Sequence, residues 1–274
     1  MNYRHAFHAG NHADVFKHAA LVLALERLLA KPQPFAVLDT HAGLGLYDLR
    51  GEEARRTREF EDGVGRILGR GLSTAPPYGE LIAALNPDAL TTYPGSPEIV
   101  RRMLREQDRL IACELHPEDA EALKALYRQD RRVAVHHRDG YEAMGALLPP
   151  AERRGLVLVD PPFEKPDETR TLTRALARGL KRWPTGTFMV WYPVKDGRIG
   201  EELARTAVAE GWPKALKAEL QPYGPNETSL PGSGLLIVNT PYTLDGRLEA
   251  LCRELSQVLG TGRGGWSVEW LSEP

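Results

Sequence analysis

The chain has 274 residues, of which 42% are hydrophobic and 7% aromatic, and its formal net charge is -2. This length allows one large α/β domain, or one domain with an insert, whereas two separate domains would be a tight fit. The charge excludes polyanion binding through a general positive field, so any contact with nucleic acid has to come from local basic patches.

The N-terminal region predicts a helix that begins at residue 11 or 12 and ends at residue 30, before Lys31-Pro-Gln-Pro34. Its aliphatic stretch is interrupted by Glu26 and Arg27, so we expect neither a signal peptide nor a membrane span. Two cysteines, Cys113 and Cys252, lie far apart in apolar segments. This pattern favours two buried thiols and a cytoplasmic location over a disulfide.

Short aliphatic segments predict five buried strands that alternate with helices, at residues 35–39, 109–114, 132–137, 155–160 and 187–192. Apolar runs of this kind favour an α/β fold with a mostly parallel sheet that helices cover on both sides. Residues 216–221 and 235–239 predict an antiparallel edge hairpin, followed by a helix. We expect the long Gly- and Pro-rich loop of this hairpin to lie over a site.

Between residues 47 and 94 the alternation of strands and helices fails. Residues 52–70 are charged and helix-forming, and Pro76-Pro77 and Asn86-Pro87 interrupt the segment that follows. We therefore predict a small helical insertion subdomain over residues 48–93, with residues 1–47 and 94–274 forming the main domain.

A glycine loop, Asp39-Thr-His-Ala-Gly43-Leu-Gly45, directly follows the first strand. Glycines at such a place allow the backbone to pass close beneath a ligand. A dinucleotide site would have Gly or Ala three residues after Gly45, where this chain has Asp48, which weakens the case for NAD. A tight turn without a ligand is the alternative.

Acidic residues end the next two strands. In nucleotide-binding folds an acid about 20 residues after the glycines accepts the ribose hydroxyls. Glu114 lies much further along, but the excess is about the length of the predicted insertion. Asp139, which precedes Gly140, is suited to an adenine amino group. Each acid could instead be a helix N-cap or a solvated loop charge.

The segment Leu156-Val-Leu-Val-Asp160-Pro161-Pro162-Phe163 is the most specific in the chain. An adenine amino nitrogen is a poor nucleophile, and methylation requires acceptors for both of its hydrogens. The Asp160 carboxylate and the carbonyl of Pro161, in a bend stiffened by proline, provide two. Phe163 offers a stacking face worth about 1–3 kcal/mol to a flipped-out base. An ordinary turn is the alternative.

Four histidines within the first 18 residues raise the question of a metal site: His5, His8, His12 and His18. His8 and His12 have i,i+4 spacing, but no cysteine is near, and we expect no metal. Asp14, Lys17 and His18 share one helix face. His18 is expected to face the polar end of a methyl donor and Lys17 the phosphate or base of the substrate. The alternative is a solvated helix face with Lys17 merely exposed.

Basic residues form two groups that suit RNA phosphates, although a solvated helix face explains either group equally well. The first group lies in the predicted insertion and consists of Arg50, Arg55, Arg56, Arg58, Arg66 and Arg70. The second follows the Asp-Pro-Pro-Phe segment and consists of Lys165, Arg170, Arg174, Arg178, Lys181 and Arg182.

These motifs resemble the bacterial 23S rRNA adenine-N6 methyltransferase family RlmJ. The resemblance also rests on the N-terminal run Tyr3-Arg-His-Ala-Phe-His-Ala-Gly-Asn-His-Ala-Asp-Val-Phe-Lys-His18, on Tyr93-Pro-Gly-Ser96-Pro and on Tyr192-Pro-Val-Lys195, and it covers nearly the whole chain. It implies a class I (Rossmann-like) methyltransferase fold that uses S-adenosylmethionine without a metal. It also implies protein-free 23S rRNA as substrate. Family members often carry Tyr where this chain has Phe163.

The resemblance and the motifs together give the expected site. Catalysis is assigned to Asp160, Pro161 and Phe163. Substrate contacts are assigned to Tyr3, His5 and Lys17. Cofactor contacts are assigned to His18, His41, Gly43, Gly45, Ser96, Glu114, Asp139, Gly140 and Asp160. We expect a monomer with no obligatory protein partner. Two other functions stay open, namely adenine-N6 methylation of DNA and a non-catalytic nucleotide-binding module.

Overall fold

A computed structural model describes residues 4–225 and 227–273. Its α-helices are α1 (His12–Leu29), α2 (Glu52–Thr57), α3 (Glu59–Asp62), α4 (Pro76–Leu85), α5 (Ser96–Met103), α6 (Pro117–Tyr127), α7 (Gly140–Ala146), α8 (Glu168–Arg182), α9 (Arg198–Ala209) and α10 (Leu244–Leu259). Its strands are β1 (Ala36–Asp39), β2 (Leu46–Asp48), β3 (Thr92–Pro94), β4 (Arg109–Glu114), β5 (Val133–His137), β6 (Gly155–Val159), β7 (Thr187–Val194), β8 (Leu216–Gln221), β9 (Gly232–Val238) and β10 (Gly265–Trp270).

The main sheet has eight strands in the order β10-β8-β9-β7-β6-β1-β4-β5. The strands from β7 to β5 in this order are parallel, and β1 lies between β6 and β4. β9 is antiparallel to both β7 and β8. The prediction of an α/β fold with a mostly parallel sheet is confirmed, and all five predicted strands are present. The prediction that all five are buried is wrong for β5, which lies at the edge of the sheet and has no buried residue.

The antiparallel hairpin near one edge is also present as β8 and β9, but the sequence analysis missed the outermost strand. β10 pairs antiparallel with β8 and follows α10. It is short, and most of its residues are exposed, with Val268 and Trp270 partly buried against the core. A strand with so little apolar burial has a weak sequence pattern, because edge position, and not the core, sets its environment.

Helix α1 lies in the centre of the core and is buried on all sides. Asn11 caps its first turn by accepting a hydrogen bond from the Asp14 backbone N–H at 3.0 Å. A helix that is apolar around its circumference has to be enclosed by other elements. Its buried residues join one core cluster with residues of α4, α5, α10 and the sheet. No helix in the described part of the chain combines the length and the apolar character needed to cross a membrane.

The segment between β2 and β3 is less helical than predicted. These two strands pair antiparallel, so they bring the two ends of the segment together. The expected helix over residues 52–70 is broken into α2, α3 and a single 3-10 turn, because Arg58 has a left-handed φ of 56°. Val64, Ile67 and Tyr78 pack into the same core as α1. The division into domains at residues 48 and 93 stays a prediction.

Gly155 at the start of β6 allows a test of the close contact between β6 and β1. Its φ is 150°, and a Cβ there would lie 1.7 Å from the carbonyl oxygen of Ala36 in β1. We expect Gly155→Ala to lower the free energy of unfolding by roughly 3 kcal/mol or more, because β1 and β6 would have to separate. Gly145→Ala in α7 is the control, since nothing lies within 4 Å of its added Cβ. Urea unfolding that finds equal stabilities for the two variants would contradict this account.

Candidate active site

Four carboxylates meet at one edge of the sheet. β5, β4, β1 and β6 are neighbours and parallel, so their carboxyl ends lie at the same edge. Asp39 and Glu114 end β1 and β4, Asp139 follows β5, and Asp160 follows β6. In open α/β sheets ligands bind outside the carboxyl ends of the strands. This edge, with its four carboxylates, is therefore the candidate ligand site.

The glycine loop is tied to both neighbouring segments. The Gly43 N–H donates to Oε2 of Glu114 at 2.8 Å, and the carbonyl of Gly45 accepts from the Gly95 N–H at 2.8 Å. Gly43 has a φ of 63°, and a Cβ there would lie 2.2 Å from Oη of Tyr47. This turn therefore requires glycine at position 43. The loop leads into β2 and not into a helix.

Backbone N–H groups already bind two of these carboxylates, Glu114 and Asp139. Oε1 of Glu114 accepts from the His116 N–H at 2.7 Å, so both of its oxygens have backbone donors. Asp139 is the N-cap of α7, where its Oδ1 accepts from the N–H groups of Tyr141 and Glu142. The N-cap alternative for Asp139 is thus observed. It leaves Oδ2 of Asp139 available to a ligand.

Asp39 is fully buried under the glycine loop. Its Oδ2 accepts from Ser96 Oγ at 2.6 Å, and its Oδ1 accepts from the His41 N–H at 3.4 Å. Burial raises the pKa of Asp39 to about 7, while the Ser96 hydrogen bond opposes this shift and the charge of Asp160 adds to it. Ser96, predicted as a cofactor contact, therefore also holds this carboxyl group in place.

His41 lies among the acids. Its Nδ1 is 2.7 Å from Oγ1 of Thr40, and its ring meets Tyr141 edge to face at 5.3 Å. Burial lowers the pKa of His41, although the charges of Asp160, Glu114, Asp139 and Glu168 oppose this shift. A neutral imidazole surrounded by these carboxylates leaves the pocket with a negative potential.

Lys17 connects helix α1 to the Asp-Pro-Pro-Phe bend. Its Nζ lies 2.5 Å from Oδ2 of Asp160 and 2.8 Å from Oδ1 of Asp14. Burial lowers the pKa of Lys17, but these two carboxylates outweigh it and raise the pKa above its ordinary value. The alternative of an exposed Lys17 on a solvated helix face is wrong, because only 4% of its side chain is exposed.

The same network extends to the N-terminal residues. Oδ2 of Asp14 lies 2.9 Å from Nε2 of His5 and accepts from the Gly10 N–H at 2.9 Å. His5 also meets the ring of Tyr47 edge to face at 5.2 Å. His5 therefore lies within this network, two bonds from Lys17. Tyr3, predicted to contact the substrate, lies outside the described residues.

The bend itself has an unusual backbone. Phe163 has a φ of 50°, which is strained for a large aromatic residue. Its ring meets Trp191 of β7 edge to face at 6.0 Å, and Nζ of Lys17 lies 5.8 Å from the centre of the Trp191 ring. The sequence analysis missed Trp191, although it stands next to Tyr192-Pro-Val-Lys195. Asp160 keeps 15% of its side chain exposed, so a substrate can reach it.

The histidine spacing does not form a metal site. His8 precedes α1, so it does not share a helix face with His12, and its Nδ1 lies 3.0 Å from both carboxylate oxygens of Glu59. In residues 4–225 and 227–273 no group of three or more His, Cys, Asp or Glu side chains could hold a metal ion. The four N-terminal histidines contact carboxylates or aromatic side chains in this structure.

Comparison with known proteins supports one family over nearly the whole chain. Residues 32–272 match the family model described as "Ribosomal RNA large subunit methyltransferase D, RlmJ". Proteins named "Ribosomal RNA large subunit methyltransferase J" from Haemophilus influenzae and Escherichia coli are 39% and 38% identical to this chain. Each alignment covers 99% of both proteins.

Two solved structures resemble the fold. The crystal structure of a Legionella pneumophila protein superposes with a TM-score of 0.89 at 33% identity, covering 96% of this chain and 98% of that one. A probable spermidine synthase from Corynebacterium glutamicum has a TM-score of 0.50 at 13% identity, covering 93% and 75%. The second likeness concerns the fold alone.

The buried ring of His12 in α1 makes the stability of the protein depend on pH. Its ring meets Tyr223 edge to face at 5.3 Å, and its Nε2 is buried without a hydrogen-bond partner in the described structure. Burial lowers the pKa of His12 to about 4, against opposing charges on Glu59 and Asp14. The unfolded chain therefore binds more protons than the folded one between pH 6.5 and 4. Stability contributed by neutral His12 is present above pH 6.5 and is lost as the pH falls.

Between pH 7 and pH 5 we expect the free energy of unfolding to fall by about 2 kcal/mol more in the wild-type protein than in His12→Gln. The basis is about 1.4 kcal/mol for each unit of difference between the folded and unfolded pKa. Urea unfolding at both pH values measures the two losses. Because only the difference between the proteins is compared, other titrating groups cancel. Equal pH dependence in the two proteins would show that His12 is not buried as a neutral ring.

Proposed function

Because this chain belongs to the RlmJ family of ribosomal RNA large-subunit methyltransferases, we propose that it methylates the N6 amino group of one adenine in 23S rRNA with S-adenosylmethionine as donor. The sheet order, with one antiparallel strand between β7 and β8, is that of a class I methyltransferase fold. The observation that carries the residue assignments is the placement of Asp160, on a proline-stiffened bend beside the acidic edge of the sheet.

The residues at this edge fit the methyl donor. S-adenosylmethionine supplies a methyl group already activated by a sulfonium charge, so the reaction requires no metal. Carboxylates around His41 suit a cation, and Glu114 with Asp139 suits ribose and adenine groups. Nε2 of His18 is buried with no partner among the described residues, which leaves it for the polar end of the donor. Gly43, Gly45 and Gly140 keep the backbone close to this space.

Asp160 and Pro161 are assigned to the amino group of the target base. Oδ2 of Asp160 is bound to Lys17, so Oδ1 is the oxygen that remains for an N6 hydrogen. The carbonyl of Pro161 is the second acceptor, and proline fixes its direction. Holding both hydrogens orients the nitrogen lone pair for attack. After transfer the nitrogen carries an excess proton, and the Asp160 carboxylate is placed to take it.

Lys17 is assigned to orient Asp160 and not to bind phosphate. A buried ammonium between two carboxylates cannot reach an exposed phosphate without breaking both pairs. Phe163 is assigned to stacking of the flipped base, with Trp191 behind it. Stacking needs only the ring, so Phe163 can make this contact without a phenol hydroxyl.

The second basic group is the better candidate for RNA phosphates. In the insertion segment Arg50, Arg58 and Arg66 pair with Asp48, Glu61 and Asp62, which reduces their net charge. On α8, by contrast, Arg170, Arg174, Arg178 and Lys181 form one exposed stripe. Only Arg170 of this stripe has an acidic partner, Asp167, among the residues that the structure describes. The stripe begins just after the bend, where flanking phosphates of a flipped base would lie.

The finer parts of the proposal follow the same reasoning. We propose protein-free 23S rRNA as substrate, a monomer without an obligatory protein partner, and a cytoplasmic location. Cys113 and Cys252 are buried free thiols, which suits a reducing compartment. Methylation of DNA uses the same kind of bend, and a non-catalytic module would bind the donor without transfer, so both are outcomes of the first experiment below.

Transfer from tritiated donor to a 23S rRNA transcript tests the function, with duplex DNA as the competing substrate. We expect label in the transcript, and a rate at least about 100-fold lower for Asp160→Ala, because an acceptor for the amino group is lost. Calorimetry with S-adenosylhomocysteine should find affinity within a few-fold of wild type. Asp167→Ala, seven residues further along the chain, is the control and should keep its rate.

Label confined to duplex DNA would overturn the choice of substrate. No label in either nucleic acid, with S-adenosylhomocysteine still bound, would favour the non-catalytic module. Loss of S-adenosylhomocysteine binding in Asp160→Ala with a retained rate would contradict the role given to this carboxylate.

The double variant Arg174→Gln/Arg178→Gln tests the stripe on α8. We expect the slope of log Kd for the transcript against log salt to fall by about 1.5, at ~0.7–0.9 per lost phosphate contact. Donor affinity should not change. Arg128→Gln/Arg131→Gln removes two exposed arginines between α6 and the edge strand β5, and it is the matched control. Equal salt slopes for the two double variants would exclude the stripe as the phosphate contact.

A further inference from the structure

A buried hydrogen-bond chain links the insertion segment to the donor pocket. Oη of Tyr78 in α4 lies 3.0 Å from Oη of Tyr93 in β3, and that oxygen lies 2.7 Å from Nδ1 of His18 in α1. All three residues are at most 1% exposed. The rings of His18 and Tyr93 also stack at 5.6 Å. The reaction as derived above uses none of the tyrosine hydroxyl groups.

The end of this chain lies at the pocket. His18 follows Lys17, whose Nζ binds Asp160. Tyr93 stands two residues before Gly95, whose N–H binds the carbonyl of Gly45 in the glycine loop. His18 therefore adjoins Lys17, which binds the bend, and binds Tyr93, which stands close to the glycine loop in sequence. Within this hydrogen-bond chain only Nε2 of His18 has no partner among the described residues.

Counting protons decides the direction of the hydrogen bonds. If Tyr78 donates to Tyr93 and Tyr93 donates to Nδ1 of His18, only the N–H at Nε2 lacks a partner. If His18 donates from Nδ1 in the reverse direction, the hydroxyl hydrogen of Tyr78 and the bare Nε2 both lack one. Each buried unpaired polar group costs about 1–3 kcal/mol, so the first arrangement is more stable.

We propose that Tyr93 is a positioning residue, oriented by Tyr78, that fixes His18 in the Nε2–H tautomer so that this N–H donates to the carboxylate of the donor's methionine moiety. The inference rests on the proposed use of S-adenosylmethionine. The carboxylate would complete the hydrogen bonding of His18, which the free protein leaves open. Neither tyrosine needs to touch the donor itself.

Two further features favour a neutral donor ring. Burial lowers the pKa of His18 far below its ordinary value, and the charge of Lys17 lowers it further, against the opposing charge of Asp14. A neutral imidazole has one N–H, so its tautomer decides whether Nε2 donates or accepts. In the wrong tautomer a bare nitrogen would face a carboxylate, and the interaction would be repulsive.

The inference also gives the insertion segment a part in donor binding. Tyr78 lies in α4 and Tyr93 at the end of the segment, whereas His18 belongs to α1. Tyr93 therefore determines which nitrogen of His18 carries the proton, and Tyr78 in α4 orients the Tyr93 hydroxyl. This kind of coupling requires only fixed hydrogen bonds and no movement of the segment.

Nitrogen-15 NMR of the histidine rings tests the tautomer directly, with the His18 signals assigned from their loss in His18→Gln. In wild type we expect a protonated Nε2 and an unprotonated Nδ1, and a shift of the Nε2–H signal when S-adenosylhomocysteine is added. In Tyr93→Phe both tautomers should be populated, and the Kd for S-adenosylhomocysteine should rise about tenfold, as expected for one lost buried hydrogen bond.

Two other variants separate this role from a merely structural one. Tyr78→Phe should keep the Nε2–H tautomer and change the Kd by less than threefold, because Tyr93 still donates to Nδ1. Tyr192→Phe removes a different buried hydroxyl, which binds Glu219 at 2.8 Å, and should leave the His18 signals unchanged. Thermal unfolding of each variant shows whether it is folded under the conditions of the NMR and calorimetry measurements.

A proton on Nδ1 in wild type would overturn the proposal, and so would a Tyr93→Phe variant with unchanged tautomer and Kd. These outcomes are independent of the proposed function. If wild type binds S-adenosylhomocysteine and shows the expected tautomer but does not methylate the 23S rRNA transcript, the positioning role stands and the choice of substrate fails.

Discussion

The structure of the site depends on a buried ammonium group shared by two carboxylates. Lys17 is enclosed between Asp14 on its own helix and Asp160 on the bend after β6. Taking these charges out of water costs several kcal/mol for each ion, and only good geometry with further hydrogen bonds offsets that cost. Asp14 has such bonds, from His5 and from the Gly10 backbone. These ion pairs therefore add little to stability, and their main effect is to fix the position of the bend relative to α1.

The same kind of constraint holds the other carboxylates at this edge of the sheet in fixed orientations. Oδ2 of Asp160 is bound to Lys17, so the orientation of this carboxylate is set before the proposed substrate binds. Asp39 is held by Ser96 and Glu114 by the glycine loop, so their orientations are set in the same way. Preorganised groups of this kind need no rearrangement when charge moves during transfer. Nε2 of His18 is, by contrast, a buried nitrogen without a partner among the described residues.

The sequence predicted those features that depend on neighbouring residues. Apolar runs identified the parallel strands, and acids directly after those runs identified Glu114, Asp139 and Asp160, because a strand end and its first loop residue are local features. The contact of Lys17 with Asp160 joins residues 143 positions apart, and no local pattern contains it. Trp191 and the Tyr78 to Tyr93 bond were missed for the same reason. The break at Arg58 was missed because the residues around it, 52–61, are mostly Glu, Ala and Arg, which are good helix formers.

The two arginine groups show the same limit in electrostatic terms. In the sequence the two groups contain equal numbers of basic residues. The sequence alone therefore could not decide whether either group contacts RNA or forms a solvated helix face. The structure distinguishes them through their partners, since Arg50, Arg58 and Arg66 have nearby carboxylates, whereas α8 turns its one early acid, Glu168, inward to Tyr141 at 2.6 Å. What reaches a phosphate is the uncompensated charge and not the number of arginines. A chain with a formal charge of -2 can therefore present a locally positive surface beside an acidic pocket. Under the proposed function, this separation matches a cationic methyl donor and an anionic RNA.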